Sequence, residues 1–186
     1  MNTNLFEDAA GEERPPTPNL ARILAKGLNY NFERALADII DNSISHNAEN
    51  VWIYIDHKNG KFDYDRAFVS IVDDGDGMSA QHLSESLEYG HASSDKANNL
   101  GAFGLGMKTA STSQSWVIAV ASRDNAQSDF SRRAWDIPWI EENDQWSLRV
   151  PKEEMFPEKV IEKISGHTGT AVVLPDLTRI KPNINE

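Results

Sequence analysis

The chain has 186 residues, 39% of them hydrophobic and 25% charged, a size that suits one compact domain with a real core and leaves little room for two. Its formal net charge of −11 makes it a poor holder of a nucleic-acid backbone, because counterion release needs clustered Lys and Arg. Zero cysteines exclude a disulfide framework and any thiolate metal site; with no apolar run approaching the ~18 residues of a membrane span and a polar, acidic N-terminus, the sequence reads as unsecreted and cytoplasmic.

Residues 1–16 are acidic, contain glycine and proline and lack periodicity, so they are expected to form a mobile arm ahead of a domain at 17–186. Thr17-Pro18 reads as an N-cap followed by a proline at the first helical position, opening a short helix through LARILAKGL that Gly27 helps to end. Asn31 can cap a second, longer helix, in which Phe32, Leu36, Ile39, Ile40 and Ile44 form the apolar stripe of a helix lying on a sheet. Asp38 and Asn42 are one turn apart and share the opposite face. A carboxylate beside a carboxamide can orient a water while an oxygen ligand holds Mg²⁺, although a solvated helix face is the plain alternative.

VWIYIDH (51–57) is a predicted strand, Lys58 to Lys61 a turn, and AFVSIVDD (67–74) a second strand. It ends in Asp73-Asp74-Gly75-Asp76-Gly77-Met78, where a carboxylate meets glycines that let a flat ligand approach the backbone closely. A calcium loop with its glycine at Gly77 would need an acid at Val72 and a glutamate at Leu83, and it has neither. An acidic turn remains the alternative.

Ser79 is expected to cap a helix through AQHLSESLEY, after which residues 91–104 form a long polar, glycine-containing segment, of a length that usually carries function or is disordered. The run from Gly101 to Thr109 (GAFGLGMKT) leads into a helix from about Leu105, whose N-terminal amides can receive phosphate oxygens, with Lys108 adding positive charge. It is not a P-loop, because Met107 separates the glycine from Lys108 and no strand precedes it; nor is it a dinucleotide fingerprint, whose third glycine would fall at Thr109. A strand WVIAVASR (116–123), a tryptophan-rich stretch read as strands, a charged helical patch at 152–164 and a final strand TAVVL (170–174) follow. That last strand is reached through Gly166-His167-Thr168-Gly169-Thr170, a turn that delivers a threonine hydroxyl. Helices and strands alternate without regular βαβ units, which predicts an α+β domain with a mixed or antiparallel sheet.

In this order and spacing, the segments at 35–48, 73–78, 101–109 and 166–174 resemble the ordered motifs of the GHKL superfamily of Bergerat-fold ATPases, over roughly residues 30–176. The resemblance implies a single α+β domain with a helical layer on a mixed, mostly antiparallel sheet, and ATP held between the helices under a glycine-rich lid at about 91–103. It implies that Asp73 accepts the adenine amino group with Thr170 supporting it through water, that Gly75 and Gly77 give the base room, and that Met78 packs beside it. Asn42 would ligate Mg²⁺, while Gly101, Gly104, Leu105, Gly106 and Lys108 would meet the phosphates, joined by Ser93, Ser94 and Lys96 when the lid closes. Asp38 would be the general base, one methylene shorter than the glutamate of many members, a departure that bears on hydrolysis rate.

The Met after DxGxG and the Lys after GxGx look more like the microrchidia (MORC), MutL and heat-shock-chaperone branch than like histidine kinases. The expectation is a Mg²⁺-dependent, ATP-hydrolysing switch that works with a downstream transducer-like domain or partner protein, or as an ATP-dependent homodimer, without nucleic acid or membrane contact of its own. Two alternatives stay open: the ATP-binding domain of a histidine-kinase-like protein kinase, although nothing here resembles a phosphoacceptor-histidine helix, and a module that binds ATP without turning it over.

Overall fold

Period-two alternation of β-branched residues places one central sheet, and the computed structural model describes it through residues 5–7, 11–13, 32–56, 67–88 and 115–177. Five strands, β2 (Val51–Asp56), β3 (Phe68–Asp73), β4 (Val117–Arg123), β5 (Ser131–Asp136) and β7 (Gly169–Leu174), lie in the order β2-β3-β7-β4-β5, every neighbouring pair antiparallel. A two-stranded ribbon joins β1 (Glu12–Glu13) to β6 (Ser147–Leu148). The chain therefore adopts the expected α+β class with a mostly antiparallel sheet.

One face of the sheet carries Val69, Ile71, Ile118, Val120, Trp135, Val172 and Leu174, covered by α1 (Phe32–Ser45) and α2 (Ala80–Leu87) through Ile39, Leu83 and Leu87. The other face carries Val72, Val117, Ala119, Ala121, Ala171 and Val173 under Met155, Phe156, Val160 and Ile164. Met155 comes from a 3₁₀ turn (Glu153–Met155) that Phe156 ends, Val160 from α4 (Glu158–Ile161) and Ile164 from a second 3₁₀ turn (Glu162–Ile164), so the charged patch at 152–164 is largely helical as expected. Strands buried on both faces are mostly apolar, and β4 is buried throughout, including Ser122 and Arg123 at its end. Among the described residues no helix is long and apolar enough to cross a membrane.

Two expectations require correction. The buried face of α1 is Ala35, Ile39 and Ser43, with Phe32 and Leu36 packed beside it, whereas Ile44 is 63% exposed. A helix on a sheet buries a row three and four residues apart, and from Ile39 that row runs to Ser43 rather than to Ile44. The tryptophan-rich stretch is only partly strand: between β5 and β6 the chain forms α3 (Ile137–Asn143), with Pro138 in its first turn and the Asp136 carboxylate accepting from the Trp139 N–H at 3.2 Å. A capping aspartate ahead of proline starts a helix wherever the aromatics fall.

The described parts of the expected arm lie against the domain: Phe6 is 7% exposed and bridges Pro151, and Glu12 reaches the Ser84 hydroxyl at 3.0 Å. The predicted helix after Thr17, the 58–61 turn, the 91–104 loop and the helix from about Leu105 fall outside the described residues.

Candidate functional site

Three adjacent strands bring one polar side chain each to the same row. Asp73 at the end of β3 pairs in register with Thr170 on β7, which pairs in turn with Ser122 on β4. Register partners point to the same face, here the one that also carries Ile71, Val120 and Val172 beneath the helices. The inward alternation is apolar until it reaches this row, and there it turns polar on all three strands.

The helix α1 closes the row from above. Ser43, on its buried side, donates to Asp73 Oδ2 at 2.9 Å, and the Gly75 N–H donates to Asp73 Oδ1 at 3.1 Å. Burial pushes the Asp73 carboxyl up from its ordinary 3.8, while hydrogen bonds from Ser43 and from the backbone of Gly75 and Thr170 work in the opposite direction. A carboxylate offers about four acceptor positions, so Asp73 retains capacity for a further donor.

The loop after β3 is anchored residue by residue. Asp74 accepts from the backbone N–H groups of Glu49 and Asn50 and from the Asn50 carboxamide at 2.7–2.9 Å. Desolvation works against it, but these bonds from Asn50 and Glu49 hold its carboxyl below 3.8. Asp76 accepts from Asn47 at 2.8 Å, and the Gly75 carbonyl accepts from Thr168 at 2.7 Å. The three aspartates thus turn to three different partners instead of converging on a common centre.

Gly75 and Gly77 are required by the packing of this loop. A Cβ on Gly75 would lie 2.6 Å from the His46 carbonyl oxygen, and one on Gly77, at φ +67°, would lie 1.9 Å from that of Arg123. The space that a side chain would fill at either position is taken by neighbouring backbone, so the glycine requirement arises from the fold itself. Met78 packs against the core cluster, and its N–H donates to the Ser122 hydroxyl at 2.9 Å.

Asp38 and Asn42 lie one turn apart on α1, both half-buried, on the helix that positions Ser43 over Asp73. Among the described residues the Asn42 carboxamide has no hydrogen-bond partner, so its oxygen is available as a hard ligand for a cation such as Mg²⁺. Of the expected site residues, the structure gathers Asp73, Gly75, Gly77, Met78 and Thr170 at the ends of β3, β7 and β4, with Asn42 and Asp38 on the helix above. Ser93, Ser94, Lys96, Gly101, Gly104, Leu105, Gly106, Lys108 and the lid at 91–103 lie outside the described residues.

Three contributors escape sequence reasoning. Ser43 and Ser122 each occupy a position where the local period calls for an apolar residue, and that mismatch is the signal that could have found them. Arg123 is 9% exposed and donates to the backbone carbonyls of Ile164, His167 and Ser128, which holds the turn that supplies Thr168 and Gly169. A shallow depression lined by Glu7, Arg132 and Lys152 lies on the opposite face of the sheet, where Arg132 already pairs with Glu7 at 3.0 Å.

Compared with known protein families, residues 30–170 match the profile of the histidine kinase-, DNA gyrase B-, and HSP90-like ATPases. No curated protein matches the sequence.

Proposed function

The chain belongs to the family of histidine kinase-, DNA gyrase B-, and HSP90-like ATPases, and from that premise we propose that it is a Mg²⁺-dependent, ATP-hydrolysing switch module with its adenine site at Asp73 and Thr170. Family membership makes it an ATP-binding domain of the GHKL type. The observation that supports the assignment of the base is the polar row Asp73–Thr170–Ser122 beneath Ser43. A half-buried carboxylate with an open acceptor position takes a hydrogen bond from an amino group and repels a carbonyl, so adenine is preferred over guanine.

Asn42 would hold Mg²⁺, which when bound supplies positive charge to the phosphates. Asp38, one turn earlier on the same helix, would accept the proton of a water attacking the γ-phosphate without itself being a strong ligand. Gly101, Gly104, Leu105, Gly106 and Lys108 would meet the phosphates, and Met78 and Lys108 favour the MORC, MutL and heat-shock-chaperone branch. In that setting the nucleotide state controls contacts with a transducer-like domain, a partner protein or a second copy. The shorter acid at position 38 favours one second reading, a module that binds ATP without turnover.

Single-turnover hydrolysis of MgATP separates the two. Asp38→Asn is nearly isosteric and should leave ATP affinity within a few-fold while lowering turnover by roughly 10² to 10⁴, the range of a lost general acid–base group. Asp38→Glu, which restores the longer reach, should raise turnover. Wild-type rates in Asp38→Asn contradict the general-base assignment, and absence of hydrolysis in all three proteins supports the binding module.

A further inference from the structure

Ser122 is wholly buried on β4, and its hydroxyl oxygen meets three partners: the Met78 N–H at 2.9 Å, the Gly169 carbonyl oxygen at 3.0 Å and the Thr170 hydroxyl at 2.8 Å. A hydroxyl has one proton to give and two lone pairs with which to accept. The Met78 N–H can only donate, so it takes one lone pair. The Gly169 carbonyl can only accept, so it takes the proton; any other arrangement sets two lone-pair-bearing oxygens against each other at 3.0 Å inside the sheet, where an unmade bond costs the full desolvation of a buried group. The remaining lone pair faces Thr170, which must therefore donate. With its proton committed to Ser122, Thr170 Oγ1 has only lone pairs left to offer.

We infer that Ser122 is a positioning residue that fixes the Thr170 hydroxyl as an obligate acceptor, so that the Asp73–Thr170 row selects a purine nucleotide with a 6-amino group over one with a 6-oxo group. This inference rests on the adenine site proposed above and adds a second determinant to it. Asp73 is an acceptor by its charge, whereas Thr170 is an acceptor only because of a residue that never touches the base. The discrimination requires Thr170 to meet the 6-substituent directly, in place of the bridging water that the resemblance implies: in direct contact, a threonine free to rotate would donate to a 6-oxo group as readily as it accepts from a 6-amino group, and Ser122 removes that tolerance.

Calorimetric titration of the full chain with MgATP and MgITP, for wild type, Ser122→Ala, Thr170→Val and the double variant, tests the inference. Thr170→Val preserves shape at a half-buried position and should weaken ATP binding about three- to tenfold, the loss of one neutral hydrogen bond, while leaving ITP within about twofold. Ser122→Ala returns the proton to Thr170 and should narrow the preference for ATP over ITP by about three- to tenfold. In the double variant that narrowing should add nothing to the effect of Thr170→Val, because the freed proton no longer exists. A Ser122 that merely supports the fold would scale both nucleotides alike, so equal factors for ATP and ITP in the single variants overturn the inference, as does an additive effect in the double variant. Should Ser122→Ala fail to fold, Ser122→Cys, nearly isosteric but a weaker donor and acceptor, takes its place and should narrow the preference in the same direction, whereas a preference unchanged in Ser122→Cys overturns the inference. Wild type that binds no ATP, or Asp73→Asn that binds it as tightly as wild type, removes the adenine site and this inference together. Binding that needs Asp73 but scales equally for the two nucleotides removes only the inference.

Discussion

Asp73 is a half-buried carboxylate held at a cost to folding. Its carboxyl is pushed above 3.8 chiefly by burial, so the folded state binds that proton more tightly than the unfolded state does. The stabilisation linked to this group is present below 3.8 and is lost as pH rises through the folded value. At neutral pH the ionised side chain is therefore a liability of the empty site, and Asp73→Asn should leave the nucleotide-free protein at least as stable as wild type, by about 2 to 4 °C in Tm for each kcal/mol regained in a domain of this size. Thermal melts at pH 7 check this, and a marked fall in Tm would show that the hydrogen bonds from Ser43 and Gly75 outweigh burial. Binding has the opposite sign. A protonated carboxyl is a weaker acceptor for an amino group, so ATP affinity should decline as pH is lowered through the raised value, at a higher pH than an unperturbed aspartate would give. Titration of affinity against pH reads it directly.

At the scale of elements, the connection from α1 to β2 and the end of β3 are joined through Asp74, which gathers three donors from Glu49 and Asn50. Its depressed carboxyl contributes stability above 3.8 that is lost as pH falls through the folded value. These bonds are solvent-exposed, so Asp74→Ala should cost about 1 kcal/mol at pH 7, the size of a lost cap. It should also weaken ATP binding, because that turn leads straight out of α1, whose Ser43 bonds Asp73. Chemical denaturation together with ATP titration checks both effects, and a stability loss with unchanged affinity would separate the turn from the site. The same elements show what the sequence makes legible. The strands ending at Asp73 and beginning at Gly169 follow from alternation and glycine punctuation, and the Ser79 cap is confirmed by the His82 N–H donating to its hydroxyl at 3.2 Å. The side of α1 that faces the sheet is less legible, because Ile40 and Ile44 compete with Ala35 and Ser43 for the same role and hydrophobicity alone chooses the isoleucines. The contact from Ser43 to Asp73 decides otherwise, and it spans 30 residues of chain. Local periodicity carries no record of such a partner.

For the molecule as a whole, five antiparallel strands with helices on the α1 side place the ends of β3, β7 and β4 together beneath one helix. That convergence turns motifs far apart in the chain into a single row of polar side chains. The Asp73 loop was legible as a functional candidate from its residue types, whereas Ser122 and Arg123 were not, because their roles arise from a register between strands that sequence spacing does not fix. Whether this row binds the base of an adenine nucleotide is read without intermediaries by isothermal titration of MgATP into wild type and Asp73→Asn. Loss of a charge-assisted hydrogen bond in a half-buried site is worth on the order of 1.5 to 3 kcal/mol. ATP affinity should be at least about tenfold weaker in Asp73→Asn, in a protein that remains folded; equal affinity in the two proteins would remove the row as the base site.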